Sequence, residues 1–113
     1  MPCPFCSPPR QRVVFENGFF YAMSDINPVS KGHTIIIPKR HVISFFDMNQ
    51  KESHLLFECL LKTKELLDRK FSPSGYNIAV NIGKIAGQSV MHAHIHLIPR
   101  YGKEAIGREH HDK

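Results

Sequence analysis

Residues His92-Ala93-His94-Ile95-His96-Leu97 alternate strictly between imidazole and apolar side chains. A period of two belongs to an extended strand, whose successive side chains leave on opposite faces. Over residues 92–98, then, Ala93, Ile95 and Leu97 turn to a core, and His92, His94 and His96 stand together on the other face. A strand that is apolar on one side only needs neighbours in a sheet and a layer to cover that side. The rest of the chain has to supply both.

It does so in order. Residues 12–16 and 19–24 are rich in β-formers, and Asn17-Gly18 between them is a two-residue hairpin signal. Asp25-Ile26-Asn27-Pro28 reads as a turn, Lys31-Gly32 punctuates, and a strand follows from His33 to Pro38. Residues 76–82 alternate again, with Tyr76, Ile78, Val80 and Ile82 on one face and Asn77, Ala79 and Asn81 on the other. The covering layer is residues 49–70, where Leu56, Cys59, Leu60, Leu66 and Leu67 recur at helical spacing. Asn49 and Glu52 form a capping pair at its start, and Ser72-Pro73-Ser74-Gly75 ends it. The expectation is an α+β domain, an antiparallel sheet packed on one long helix. With 113 residues there is room for one domain, residues 1–102, followed by an aperiodic tail, 103–113, expected to be flexible.

Composition narrows the class. The longest aliphatic run is Ile35-Ile36-Ile37, far below the ~20 apolar residues a membrane span needs. No apolar stretch follows Met1-Pro2-Cys3-Pro4, so no secretory signal is expected there, and the expected compartment is cytoplasmic. Three cysteines, two of them in Cys3-x-x-Cys6, argue against a disulfide framework and raise metal or redox chemistry instead. The pair does not lie between a strand and a helix start, as a thioredoxin-like site would. Cys59 falls in the apolar helix stripe and reads as a small buried hydrophobe. The net charge of +5 suits anionic partners. Basic residues are scattered, and neither an RNA-binding aromatic motif nor a helix-turn-helix pattern is present, which argues against nucleic acid.

One histidine on a strand is ordinarily a polar surface residue; three in alternation with Ala, Ile and Leu are harder to explain that way. A single metal bound by all three is excluded by distance. Metal–nitrogen bonds of about 2 Å need converging ligands, and the outer pair of such a strand lies roughly 13 Å apart. Two of the three could share a metal, but the more economical reading divides the labour among the rings.

The run Gly87-Gln88-Ser89-Val90-Met91-His92-Ala93-His94-Ile95-His96-Leu97-Ile98 resembles the signature of the histidine triad (HIT) nucleotide hydrolases and transferases. Asp25-Ile26-Asn27-Pro28, Gly32-His33 with its aliphatic run, and Pro38-Lys39-Arg40-His41 occur in that family's order and spacing, so the resemblance covers roughly residues 3 to 100. It implies a HIT-like fold of about five antiparallel strands with one long and one short helix, commonly a homodimer whose sheet continues across both subunits. It implies His94 as the nucleophile on a nucleotide α-phosphate, forming a nucleotidyl-histidine that water hydrolyses. It implies His96 as a donor to a non-bridging oxygen, Ser89 at the bridging atom or leaving group, and Gln88 at the phosphate.

The resemblance further places Asp25 on the ribose hydroxyls, Ile26 and Phe5 along the base, and Asn81 on the phosphate or ribose side. In bacterial-type members a cysteine pair and two histidines hold a structural zinc; here these correspond to Cys3, Cys6, His41 and His92. No organic cofactor is implied. Within the family, cleavage of dinucleoside polyphosphates such as diadenosine tetraphosphate and cleavage of adenosine phosphoramidates both remain open. Pro99-Arg100 after the triad looks more like the polyphosphate branch, with Arg100 available to distal phosphates. A non-catalytic nucleotide-binding adaptor is the third reading; it would be expected to lack a triad histidine, and here all three are present. His33 is expected to serve strand packing, and His54, His110 and His111 the solvated surface.

Overall fold

A computed structural model describes residues 3–102; the expected tail, with His110 and His111, lies outside them. Five strands, β1 (Val13–Glu16), β2 (Phe20–Ser24), β3 (Thr34–Pro38), β4 (Gly75–Ala79) and β5 (Ile95–Arg100), form one antiparallel sheet in the order β1-β2-β3-β5-β4. One α-helix, α1 (Gln50–Phe71), covers one face. The described residues hold no second α-helix, only three-residue 3-10 turns, so the short helix of the expected fold is reduced to such a turn at Arg10–Arg12, Phe45–Asp47 or Lys84–Ala86. No helix among them is long and apolar enough to cross a membrane.

The central strands β2 and β3 are buried on both faces, which is why their sequence is nearly continuous in apolar residues. Phe20, Ala22, Ile36 and Ile95 pack with Cys59 toward the helix; Tyr21, Met23, Ile35 and Ile37 pack on the opposite face with Phe5 and Val13. Each face therefore has its own apolar cluster, and the sheet separates the helix from the N-terminal segment. Cys59 is fully buried, as its place in the stripe implied, and burial pushes its thiol up to about 12. Leu66 departs from the stripe and is 37% exposed.

The hairpin loop is one residue longer than its dipeptide signal, because the Asn17 carboxamide replaces the tight turn. Its oxygen accepts from the Phe19 and Phe20 amides while its nitrogen donates to Leu55 O and Glu58 on the helix. The two alternating segments are also shorter or shifted relative to expectation. Pairing of β4 with β5 stops at Ala79↔His96, so Asn81 sits in a loop rather than on a strand. β5 begins only at Ile95: upstream, the Ala93 amide donates to Val42 O (2.7 Å) and the His92 ring is held elsewhere, which takes residues 92–94 out of the ladder.

The helix starts on a full capping box. The Asn49 side chain accepts from the Glu52 amide and the Glu52 carboxylate accepts from the Asn49 amide. Buried Glu52 also receives two hydrogen bonds from the Arg40 guanidinium, at 2.8 and 2.9 Å, which hold its carboxyl below the usual range. That fork ties the loop carrying His41 to the helix N-terminus. We expect Arg40→Ala to leave the buried carboxylate with only its Asn49 amide partner and to shift the denaturant midpoint downward, whereas Arg40→Lys keeps the charge and loses less.

Candidate active site

The three triad histidines, all on the side of the sheet that carries the N-terminal segment, divide between two clusters. His92 is fully buried; its Nε2–H donates to Pro38 O (2.8 Å), which leaves Nδ1 as a bare lone pair. That lone pair points at Cys3 Sγ (3.2 Å) and Cys6 Sγ (3.6 Å), and His41 Nδ1 lies 3.2 Å from Cys6 Sγ. The donor atoms of Cys3, Cys6, His41 and His92 all lie within 4.8 Å of one another. In a tetrahedron with zinc–sulfur and zinc–nitrogen bonds of about 2.3 and 2.0 Å, sulfur and nitrogen are about 3.5 Å apart. The spacing, the soft donor set and the carbonyl that fixes the His92 tautomer all fit a closed zinc site. Hydrogen bonding to Cys3, followed by desolvation, raises the Cys6 thiol above its ordinary range, an effect a divalent cation between the sulfurs would reverse.

His94 lies just before β5 and is 8% exposed. Its Nδ1–H donates to His92 O (2.9 Å), so Nε2 carries the lone pair. The ring is 5.0 Å from Phe5 and 5.1 Å from His96, centroid to centroid. Phe5 is carried by the cysteine-bearing segment, and its carbonyl accepts from the Tyr21 hydroxyl. Burial pushes that Tyr21 hydroxyl up to about 12.

A pocket of about 360 Å³ opens over these rings. It brings together Phe5, Asp25, Ile26, Asn81, Ser89, His94 and His96, every expected nucleotide-site residue except Gln88; Arg12 also borders it. Gln88 lies beneath, buried, its oxygen accepting from the Gly83 amide and its nitrogen donating to Ile43 O and Val90 O. The side chain is thus taken up by backbone and shapes the loop that presents Ser89. Gly87 in that loop has φ +101°, and its carbonyl faces the Asn81 amide at 3.5 Å. Arg100 does not line the pocket; its Nε donates to Asn77 Oδ1 (2.9 Å) at the far end of β5.

The unexpected participant is His33. It is buried against His96 and Asp25, not merely packed in a strand. Its motif partner Gly32 explains how the chain gets there. Gly32 has φ +88°, and a Cβ there would meet the Phe71 ring at 2.9 Å, so only glycine lets the turn bring His33 under the pocket. Burial keeps both His33 and His96 below the ordinary imidazole range, hence neutral at pH 7.

The HIT domain family matches residues 9–103. A HIT-like protein of Methanocaldococcus jannaschii is 44% identical over 90 residues, covering 80% of this chain and 69% of that protein. The protein Hit of Bacillus subtilis is 40% identical, covering 80% and 62%. A bis(5'-adenosyl)-triphosphatase of Saccharomyces cerevisiae is 32% identical, covering 91% of this chain and 50% of its own length. The chain thus spans about half to two-thirds of these relatives. Among solved structures, a HIT family member from Bacillus subtilis superposes with a TM-score of 0.82 at 37% identity, covering 91% of this chain and 76% of that one. A hypothetical histidine triad nucleotide-binding protein from Sulfolobus tokodaii gives 0.83 at 30%, covering 90% and 71%. Sequence and architecture agree over nearly the whole length, and the chain belongs to the HIT domain family.

Proposed function

We propose that the chain hydrolyses a nucleotide at its α-phosphate through a covalent intermediate on His94, with a dinucleoside polyphosphate as substrate. The observation that carries this reading is the hydrogen bond from His94 Nδ1–H to His92 O, which leaves Nε2 as a lone pair in a buried tautomer beside the pocket. A neutral imidazole held this way is a competent nucleophile at pH 7.

In the first step His94 Nε2 bonds to phosphorus and the bridging P–O bond breaks, its electron pair leaving with the departing nucleotide. His96, 5.1 Å from His94 between ring centroids, donates to a non-bridging oxygen as charge accumulates. Ser89 stands on the leaving-group side, presented by the loop that Gln88 braces. In the second step water bonds to phosphorus and the P–N bond breaks, releasing the nucleoside monophosphate. Asp25 takes the ribose hydroxyls; Ile26 and Phe5 line the base, and Asn81 closes the side next to Gly87. Cys3, Cys6, His41 and His92 would hold a structural zinc, which would help keep Phe5 and the His92 carbonyl against His94. The edge strand β4 with Ile78 exposed, and Phe57 and Leu61 exposed on α1, offer the surface for a homodimer.

The yeast relative supports the polyphosphate substrate, while the position of Arg100 removes one reason for preferring it. Diadenosine tetraphosphate and adenosine 5'-phosphoramidate are therefore to be compared directly. The proposal expects AMP release from the first with the higher kcat/KM. A reversed preference would transfer the reading to phosphoramidates, and no turnover of either would remove the hydrolase.

A further inference from the structure

We propose that His33 is a positioning residue that fixes His96 as the Nε2–H tautomer, so that the ring meets the phosphate as a hydrogen-bond donor. The inference rests on the role given to His96 above and assigns the group that enforces it.

The argument is a proton count along four groups. The Val29 amide donates to His33 Nδ1 (3.1 Å). A backbone N–H can only donate, so Nδ1 is an acceptor and the proton of neutral His33 must be on Nε2. That Nε2 lies 3.0 Å from His96 Nδ1. His33 therefore donates, His96 Nδ1 accepts, and the His96 proton is left on Nε2. The ring planes are tilted 53° with centroids 5.2 Å apart, an arrangement for an in-plane contact rather than stacking.

Asp25 makes this control necessary. Its Oδ2 lies 3.6 Å from His96 Nδ1 and 3.3 Å from His33 Nε2, while Oδ1 accepts from the Asn27 amide (2.8 Å). A carboxylate beside an imidazole nitrogen draws the proton to that nitrogen. Without His33, Asp25 would favour the Nδ1–H form of His96, and the nitrogen facing the phosphate would become an acceptor opposed to an anion. His33 occupies the position between them and reverses the preference. The loop that carries the arrangement is braced independently, by Asp25 N–H to His33 O, Ser30 Oγ to Pro99 O and Tyr101 Oη to Lys31 O.

The donor atoms of Asp25, His33 and His96 are close enough to suggest a second metal site. The same proton count opposes it. The His33 nitrogen facing the cluster is the protonated one, and a ring nitrogen that bears a proton has no lone pair for a metal.

The test is long-range proton–nitrogen NMR on histidine-labelled protein without nucleotide, so it stands whether or not the hydrolase reading does. Wild type is expected to show His96 protonated at Nε2 and bare at Nδ1. His33→Leu is expected to shift His96 substantially to Nδ1–H and to lower kcat by about tenfold with KM within about twofold, since His33 touches no substrate. His33→Gln, whose amide nitrogen can donate from nearly the same place, is expected to restore both tautomer and kcat. A wild-type His96 carrying its proton on Nδ1 would overturn the inference, as would His33→Leu with the tautomer unchanged. Should neither nucleotide be turned over while the tautomer behaves as stated, the hydrolase reading fails and this one survives.

Discussion

His94→Ala is expected to abolish turnover, by about 10⁴-fold or more, while leaving a folded protein. No other ring nitrogen in the triad can take its place. Both nitrogens of His92 are committed, one to Pro38 O and one toward the cysteine sulfurs. His96 accepts at Nδ1 from His33 and so presents a proton, not a lone pair. Only His94 has its Nδ1 proton held by a carbonyl and its Nε2 open beside the pocket. The decisive measurement is intact-mass spectrometry after rapid quenching without acid, during turnover of diadenosine tetraphosphate. Wild type should carry one AMP moiety, and His94→Ala none. Ongoing cleavage without any adduct would make His94 a general base and remove the covalent step; unchanged activity in the variant would remove His94 altogether.

What could be read from the sequence, and what could not, divides along the range of the interactions. The helix was legible because its signals are local: Asn49 and Glu52 are three residues apart and make the capping box their types imply. The sheet was legible because apolar runs mark its two buried central strands. The cluster of Cys3, Cys6, His41 and His92 was legible only through resemblance, since nothing local to His41 or His92 announces that their nitrogens meet Cys3 and Cys6. The end of alternation was misplaced at both β4 and β5 because strand length depends on the partner, and Ala79 and Ile95 are where the pairing stops and starts.

His33 shows the limit most clearly. Its partner His96 is 63 positions away, and its tautomer is set by the Val29 amide, a group present at almost every position in any chain. The only sequence trace is Gly32, needed because the Phe71 ring leaves no room for a Cβ. Gln88 is the converse case. Its residue type fits a phosphate contact, yet burial turns its amide to three backbone groups. In both, what a side chain does follows from which partners reach it first.

Removing the metal should have the second-largest effect, and an informative one. Protein purified without chelator is expected to contain about one zinc per chain, and Cys3→Ser to contain little. Structural zinc in small sites contributes on the order of 10 kcal/mol of apparent binding. Here the loss is expected to be mostly local, because His92 stays anchored to Pro38 O and the two apolar clusters of the sheet do not depend on the ion. A net loss of roughly 2–3 kcal/mol lowers Tm by about 10–20 °C for a domain of this size. Turnover should fall as well, by roughly ten- to a hundredfold, although zinc touches no reacting atom. The cysteine segment carries Phe5 against His94, and His92, whose Nδ1 faces the cysteines, supplies the carbonyl that orients the nucleophile. A metal content near zero in unchelated wild type would refute the zinc assignment. Full zinc with unchanged kcat after its removal would instead leave the ion in place and sever its link to His94.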